Sequence, residues 1–285
     1  MVTYYIRKIL LFVFPLCLAA CATGPHEVAT ATTAAPERAS VEPVKMGSGY
    51  PVALVNIPVN DANTKFVSAA LFEPTGPGPF PAVVILSGCA GVNGDTSVVV
   101  GVNRGYLAKG IATLVLDSFT PRGIAEVCSD SELLMSSFAF RVKDAYAATA
   151  WLGTRPEIDS KHIFLQGYSH GAMTAIAAID AQMPLPDHPH VAGVIAYYPY
   201  CWSNSKFSVP TIILIGQKDD WTPADQCSGI TDKTNVEITV YPNAMHHFAA
   251  LGMDMTYLGH HLLYDAEATN DGQRRALAFI QSLSK

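Results

Sequence analysis

The chain has 285 residues, of which 49% are hydrophobic and 15% are charged, and its formal net charge is −6. High hydrophobicity with few charges excludes an intrinsically disordered protein, and a chain of this length can bury one large core. Because 18 Lys and Arg stand against 24 Asp and Glu, no excess of cations is present to neutralise phosphates. The composition therefore argues against a nucleic-acid partner and predicts a globular domain of enzyme size.

Residues 1–20 have the order of an export signal. Arg7 and Lys8 precede an apolar run of 12 residues, Ile9–Ala20. A membrane-spanning helix needs about 20 apolar residues, whereas this run has the length found in signal peptides. The segment LAAC, which ends at Cys21, resembles the bacterial lipobox. The sequence therefore predicts a signal peptide over residues 1–20 and a lipid on Cys21.

The lipobox resemblance implies a location in the bacterial cell envelope. Acyl chains on Cys21 would hold the mature protein on the periplasmic side of a membrane, and Ala22 after the cysteine favours the outer membrane. Residues 21–46 are rich in Ala, Thr, Pro and Glu without apolar periodicity, which predicts a flexible tether. Residues 47–285 are predicted to form the folded domain.

Strand-like apolar runs alternate with helical patterns along this domain. Val52–Ile57 and Phe66–Phe72 predict an opening hairpin. Further strands are predicted at Ala82–Leu86, Ile111–Leu116, His162–Leu165, Val191–Tyr197, Thr211–Ile215 and Val236–Val240, with helices near 97–109, 134–153, 171–182, 223–230 and 267–283. Continuous apolar strands alternating with helices predict a mostly parallel sheet with helices on both faces. Only about 12 residues separate the strands that end near Tyr198 and start near Pro210, so no large cap domain is expected there.

A nucleophile elbow is predicted at Gly167-Tyr168-Ser169-His170-Gly171, between a strand and an Ala-rich helix. A serine at such a sharp turn adopts a strained backbone conformation, which lifts its hydroxyl above the sheet. The flanking glycines avoid clashes with the neighbouring strand and helix. This placement makes Ser169 the candidate nucleophile rather than part of a glycine-rich structural turn.

A serine nucleophile needs a base, and the base needs a carboxylate that fixes its tautomer. Asp219 and Asp220 follow the strand Thr211–Ile215, and His246 and His247 follow the next strand. The sequence favours Asp219 and His246 and leaves Asp220 and His247 as alternatives. The order Ser, Asp, His along the chain is that of the α/β-hydrolase triad. No Cys or carboxylate spacing completes a zinc site around the paired histidines, so neither a metal nor another cofactor is predicted.

The oxyanion of an acyl-transfer intermediate needs preorganised donors. The backbone N–H of His170 is one candidate, and the loop Ser87–Gly91 supplies the second. Within that loop Cys89 is favoured, and Ala90 is the alternative. Around the mouth of the site we consider Arg122, which could bind a substrate carboxylate or be a structural loop arginine. Three aromatic residues, Tyr168, Trp221 and Phe248, could line the mouth or pack at the sheet edge.

Four cysteines remain in the mature domain: Cys89, Cys128, Cys201 and Cys227. Outside the cytoplasm an even set can form disulfides, and four cysteines allow three connectivities. Our hypothesis is Cys201–Cys227 together with Cys89–Cys128, and buried free thiols are the alternative.

From about residue 50 to 283 the chain resembles the dienelactone hydrolase family of the α/β-hydrolases. The segments that carry the resemblance are ILSGCAG (85–91), DSFTPRG (117–123), GYSHG (167–171), YYPYC (197–201), IGQKDDWTP (215–223), YPNAMHHF (241–248) and GHHLLYDAEAT (259–269). It implies hydrolysis of small esters or lactones through an acyl-enzyme, with Ser169, Asp219 and His246 as the triad and backbone amides near Cys89 and His170. The founding members use a Cys nucleophile, so the lactone substrate does not carry over to this serine. Ser87 also replaces the usual His before the oxyanion Gly, and His247 stands where a small residue is common.

Two other functions remain open from sequence alone. The same triad could serve an acyltransferase or a peptidase, which differ from an esterase in acceptor or substrate. A non-catalytic lipoprotein could also use this fold for binding, because a fold does not by itself determine a function.

Overall fold

The computed structural model describes residues 44–45, 51–94, 105–182 and 188–285, all of which belong to one compact unit, Val41–Lys285. The predicted signal peptide, Cys21 and most of the predicted tether lie outside the described residues. Val44 and Lys45 pair with Val52 and Pro51, so strand pairing begins inside the range predicted as a tether.

A nine-stranded sheet forms the centre of the domain. Its strands are β1 (Val44–Lys45), β2 (Pro51–Pro58), β3 (Phe66–Phe72), β4 (Phe80–Leu86), β5 (Ala112–Asp117), β6 (Ile158–Tyr168), β7 (Gly193–Tyr197), β8 (Thr211–Gly216) and β9 (Val236–Tyr241). They lie in the order β1-β2-β3-β5-β4-β6-β7-β8-β9. The pairs from β1 to β5 along this order are antiparallel, and those from β5 to β9 are parallel. The expected mostly parallel sheet is confirmed.

Among the described residues, helices connect four of the five successive pairs of parallel strands, and a further helix follows the last strand. They are α1 (Gly91–Gly94), α2 (Ser131–Gly153), α3 (His170–Ile179), α4 (Ala224–Ser228) and α5 (Ala266–Leu283). Of the helix predicted near 97–109, residues 105–107 are helical and 95–104 lie outside the described residues. Helix α2 starts three residues before its predicted start because the carboxylate of Asp130 caps it, accepting from the backbone N–H groups of Glu132 and Leu133. None of the helices among the described residues has the length and apolar composition of a membrane-spanning segment.

Apolar side chains of the parallel strands point alternately to two cores. On β4, Ala82, Val84 and Leu86 pack with helices α2 and α3 on one face. Val83 and Ile85 pack on the other face, where α5 covers the sheet. Both faces are therefore buried, which explains why these strands are continuous apolar runs in the sequence.

Two features at the carboxyl ends of the strands shape the site. Residues 198–210 connect β7 to β8 without a helix or a named strand, so the expected absence of a large cap there agrees with the structure. A hairpin of β10 (Asp254–Tyr257) and β11 (His260–Leu263) was not predicted. Its turn residues, Leu258 and Gly259, both have positive φ, as a type I′ turn requires.

Candidate active site

Ser169 occupies the sharp turn between β6 and α3. Its backbone has φ 51° and ψ −119°, a conformation that side-chain-bearing residues rarely adopt. The turn is possible because glycines stand two residues before and two residues after Ser169. A Cβ on Gly167 would lie 2.1 Å from the carbonyl oxygen of Gly171, and one on Gly171 would lie 2.2 Å from the carbonyl oxygen of Leu86. The close approach of strand and helix therefore fixes where the Ser169 hydroxyl points.

A continuous hydrogen-bond chain joins Ser169, His246 and Asp219. The Ser169 Oγ lies 2.9 Å from Nε2 of His246, and Nδ1 of the same ring lies 2.7 Å from Oδ2 of Asp219. A carboxylate next to Nδ1 favours the tautomer with its proton there, which leaves Nε2 free to accept the serine proton. The side chains of His246 and Asp219 are almost fully buried, at 2% and 0% exposure. The arrangement can transfer a proton from the hydroxyl to the imidazole.

Backbone and side-chain donors fix the Asp219 carboxylate. Its Oδ1 accepts hydrogen bonds from the N–H groups of Trp221, at 3.0 Å, and Thr222, at 2.8 Å. The Thr222 hydroxyl lies 2.8 Å from Oδ2 of Asp219 and 3.1 Å from Nδ1 of His246. Thr222 was not singled out from the sequence, although it follows the aspartate pair in the segment DDWTP.

The alternative acid and base lie elsewhere. The side chain of Asp220 is 57% exposed and meets His260, at 3.3 Å, rather than His246. The ring of His247 faces Tyr198, at a centroid distance of 5.8 Å, and His247 has a positive φ of 65°. The sequence could not separate these neighbours, because adjacent residues in a loop can point in opposite directions.

The residues that carry the predicted oxyanion donors border the same cavity as Ser169. His170 is the first residue of α3, so its N–H has no acceptor one turn earlier within the helix. Cys89, Ser169 and His170 all line the same cavity. The two N–H groups are thus on segments that border the nucleophile.

The His170 side chain is buried and neutral. Its Nδ1 lies 2.5 Å from the guanidinium of Arg141, which can only donate, so Nε2 carries the ring proton and donates to the carbonyl of Leu134 at 2.9 Å. Burial, reinforced by the nearby Arg141 charge, lowers the pKa of His170 to about 3. This environment had no signal in the sequence, because Arg141 lies 29 residues away on α2.

A cavity of about 290 Å³ opens beside Ser169. Besides Ser169, its lining consists of Cys89, Leu134, Met135, His170, Met173, Tyr200, Trp202, Trp221 and Thr222. Of the three aromatic residues considered for the mouth of the site, Trp221 does line the cavity. It packs 5.2 Å from the ring of His246 and stacks on His260 of β11 at 4.8 Å. The unpredicted hairpin thus supports the wall next to the imidazole.

The structure corrects the expected positions of Arg122, Tyr168 and Phe248, none of which lines this cavity. The guanidinium of Arg122 is buried against the carboxylate of Asp144, with two contacts of 2.8 and 2.9 Å, and also meets Asp61 at 3.2 Å. It is a structural loop arginine. Tyr168 and Phe248 are 1% and 0% exposed and pack in the core under the sheet.

Both predicted disulfides are present. Cys89–Cys128 joins the loop after β4 to the segment before α2, and Cys201–Cys227 joins the loop after β7 to α4. Each therefore anchors a segment that contributes to the cavity wall. Among the described residues, no group of three His, Cys, Asp or Glu side chains could hold a metal ion.

Comparisons with known proteins agree with this architecture. The family model of the dienelactone hydrolase family matches residues 67–284. A dienelactone hydrolase-like promiscuous phosphotriesterase from metagenomic libraries is 17% identical, with a TM-score of 0.65 over 81% of this chain and 98% of that chain. The dienelactone hydrolase of Anabaena variabilis is 18% identical, with a TM-score of 0.59 over 82% and 98%.

A third solved structure is an esterase. Thermogutta terrifontis esterase 2, phosphorylated by paraoxon, is 14% identical, with a TM-score of 0.58 over 82% of this chain and 94% of that chain. No curated protein matches the chain. At these identities the solved structures establish the fold, and the chemistry must be argued from the site.

Proposed function

The chain belongs to the dienelactone hydrolase family of α/β-hydrolases, and from that membership we propose that it is a serine hydrolase that cleaves small esters or lactones through an acyl-enzyme. The observation that carries the proposal is the hydrogen-bond chain from Ser169 through His246 to Asp219. A serine hydroxyl is a weak nucleophile until a neighbouring base accepts its proton. Here the base is His246, and its hydrogen bond to Asp219 already orients it towards Ser169.

In the first half of the reaction, Ser169 Oγ attacks the carbonyl carbon of the ester and its proton moves to Nε2 of His246. Asp219 accepts the Nδ1–H bond and stabilises the imidazolium that forms. The N–H groups of Cys89 and His170 bind the developing oxyanion. The bond to the alcohol oxygen then breaks, and Nε2 returns the proton to that oxygen.

In the second half, water takes the place of the alcohol. His246 accepts a proton from the water, whose oxygen attacks the acyl-enzyme carbonyl, and Ser169 leaves with the proton returned by the imidazole. The carboxylic acid is released and the serine is regenerated. The same residues serve both halves.

An activity-based probe tests this proposal directly. A fluorophosphonate should label the wild type and Ser136→Ala, which changes an exposed serine of α2, but not Ser169→Ala. Labelling should be accompanied by hydrolysis of p-nitrophenyl acetate. The organophosphate adduct of the Thermogutta esterase is consistent with the choice of reagent. Well-folded wild-type protein that is neither labelled nor hydrolytic would instead favour a binding protein.

We also propose that the mature protein is anchored to a membrane of the cell envelope, on its periplasmic side, by lipid on Cys21. The support is the order of charge, apolar run and LAAC segment in residues 1–21. Radiolabelled palmitate fed to bacteria that express the full chain should label the wild type but not Cys21→Ala. Equal labelling of the two, or none of the wild type, would contradict the anchor.

A further inference from the structure

The cavity beside Ser169 has an uncharged lining. Six of its side chains are apolar or aromatic, namely Leu134, Met135, Met173, Tyr200, Trp202 and Trp221, and among the described residues that line it none carries a charged group at neutral pH. His170 belongs to the lining but is neutral, because burial lowers its pKa to about 3. At about 290 Å³ the cavity lies at the lower end of the range found for small-molecule sites, about 300–1,000 Å³. It fits a small group without charge.

Two buried arginines of the domain, Arg122 and Arg141, already have partners. Arg122 is held by Asp144 and Asp61. Arg141 donates to His170 and to the carbonyl oxygen of Ser87. A carboxylate that entered the cavity would therefore lose hydration without gaining an ion pair, which is strongly unfavourable.

The position of His246 orients an ester within the cavity. The alcohol oxygen must face Nε2 of His246, since that atom returns the proton to it. Trp221 packs against the His246 ring at 5.2 Å and therefore lies on the alcohol side. Phe138 packs behind two lining residues, with ring-centroid distances of 4.2 Å to His170 and 6.3 Å to Trp202. The acyl group is thus directed away from Trp221.

We propose that the substrate presents a small, uncharged, apolar acyl group to a wall formed by Leu134, Met135, Met173 and Trp202. This wall is called the acyl wall below. The inference rests on the proposed serine-hydrolase function and narrows its substrate class. Esters whose acyl part carries a carboxylate are excluded by the same lining.

Two esters of equal shape test the charge requirement. Benzyl 4-methylpentanoate and monobenzyl succinate share a leaving group, and a terminal carboxylate in the second replaces an isopropyl group in the first. The rate of benzyl alcohol release by the wild type is measured by chromatography. The kcat/KM should be roughly 100-fold higher for the uncharged ester, because the carboxylate of the succinate would be buried without a partner. Equal rates, or faster hydrolysis of the succinate, would overturn the inference.

A variant pair tests the wall itself. Trp202→Ala should enlarge the cavity and raise the kcat/KM ratio of p-nitrophenyl octanoate to p-nitrophenyl butyrate about fivefold or more. Trp151→Ala, which changes a partly exposed tryptophan that packs on Arg155 of the α2–β6 loop, should leave the ratio unchanged. An unchanged ratio in Trp202→Ala would remove that residue from the acyl wall and contradict the inference.

Fluorophosphonate labelling separates the two levels of failure. If Ser169 is labelled but neither benzyl ester is cleaved, the substrate class is wrong while the serine-hydrolase function stands. If Ser169 is not labelled and no ester is cleaved, the proposed function fails and the inference fails with it.

Discussion

One guanidinium nitrogen of Arg141 lies 2.5 Å from Nδ1 of His170, and both side chains are almost fully buried. A second nitrogen of the same group donates to the carbonyl of Ser87 at 2.6 Å. His170 begins the segment that follows the nucleophile, and Ser87 begins the loop that contains Cys89. Arg141 therefore connects the two segments that supply the proposed oxyanion donors. This contact makes it a candidate positioning residue.

Replacing Arg141 by lysine should lower kcat with little change in KM. A lysine ammonium is a compact charge that cannot reproduce the planar, two-pronged geometry of the guanidinium. The two donor segments would then be less well fixed, and loss of one oxyanion donor costs roughly 10²–10³ in turnover. We expect a decrease of about 10- to 100-fold, measured with p-nitrophenyl butyrate.

The matched control is Arg155→Lys, whose side chain is 38% exposed and pairs with Glu157. It should keep wild-type kcat. An Arg141→Lys enzyme with normal kcat but reduced thermal stability would show that Arg141 supports the fold and not the donors.

His170 should make the folded protein less stable in mild acid. Its pKa is about 3 in the folded state, mainly because burial disfavours the imidazolium, against about 6.5 when unfolded. Between these values the unfolded state binds the extra proton, so the free energy of unfolding falls as pH decreases from about 6.5 towards 3. One group contributes a slope of up to about 1.4 kcal/mol per pH unit.

Urea unfolding at pH 7, 5.5 and 4.5 measures this slope. His170→Asn keeps an acceptor for Arg141 but cannot be protonated, so its stability should fall less steeply with decreasing pH. His190→Asn, at an exposed histidine, should follow the wild-type slope. If His170→Asn and wild type lose stability in parallel, His170 does not stay neutral in the folded protein.

The neighbouring aspartates should differ sharply in their effect on rate. Asp219→Asn replaces the carboxylate next to Nδ1 of His246 with an amide that no longer enforces the tautomer, and we expect kcat to fall about 10⁴-fold. Asp220→Asn changes an exposed carboxylate whose ion-pair partner among the described residues is the partly exposed His260. The kcat of this variant should stay within about threefold of the wild-type value. Steady-state kinetics on one ester decides the assignment. A reversed result would make Asp220 the acid.

The sequence predicted those features that depend on residues close together along the chain. The buried strands appear as continuous apolar runs, and Gly167 and Gly171 around Ser169 mark the strand-to-helix turn. The hairpin at 254–263 was missed because its strands have four residues each and no clear alternation. The hairpin contributes to the site through a tertiary contact, because its residue His260 stacks on Trp221.

Contacts between distant polar residues could not be predicted. Arg122 looked available for a substrate carboxylate because nothing in the sequence pairs it with Asp144, 22 residues away. Arg141 likewise meets His170 only after α2 and α3 have packed together. In both cases the role of the arginine depends on which residue it meets in the folded core. The spacing of residues along the sequence does not reveal that partner.

Arg122 should matter for stability and not for substrate recognition. The side chains of Arg122 and Asp144 are 2% and 1% exposed, so Arg122→Met would leave a buried carboxylate without its main partner. Such a loss costs about 3–5 kcal/mol of unfolding free energy. Arg122→Met with Asp144→Leu should recover part of it, as measured by urea unfolding. A selective loss of monobenzyl succinate hydrolysis by folded Arg122→Met would reinstate Arg122 as a substrate ligand.

The two disulfides should affect different kinetic constants. Cys89 carries a proposed oxyanion donor and is tied to Cys128 ahead of α2, whereas Cys201 lies between Tyr200 and Trp202 in the cavity wall. Removing Cys89–Cys128 by paired alanine substitutions should therefore lower kcat. Removing Cys201–Cys227 in the same way should mainly raise KM for esters with apolar acyl groups.

Either removal should also reduce stability by about 3–4 kcal/mol, since each bond closes a loop of similar length, with separations of 39 and 26 residues. The kinetics must therefore be measured well below each variant's melting temperature. Because the stability losses are similar, they cannot by themselves lower kcat in one variant and raise KM in the other. If both variants changed kcat and KM in the same proportion, the disulfides would be acting on the domain as a whole, and the division of the cavity into an oxyanion side and an acyl wall would be wrong.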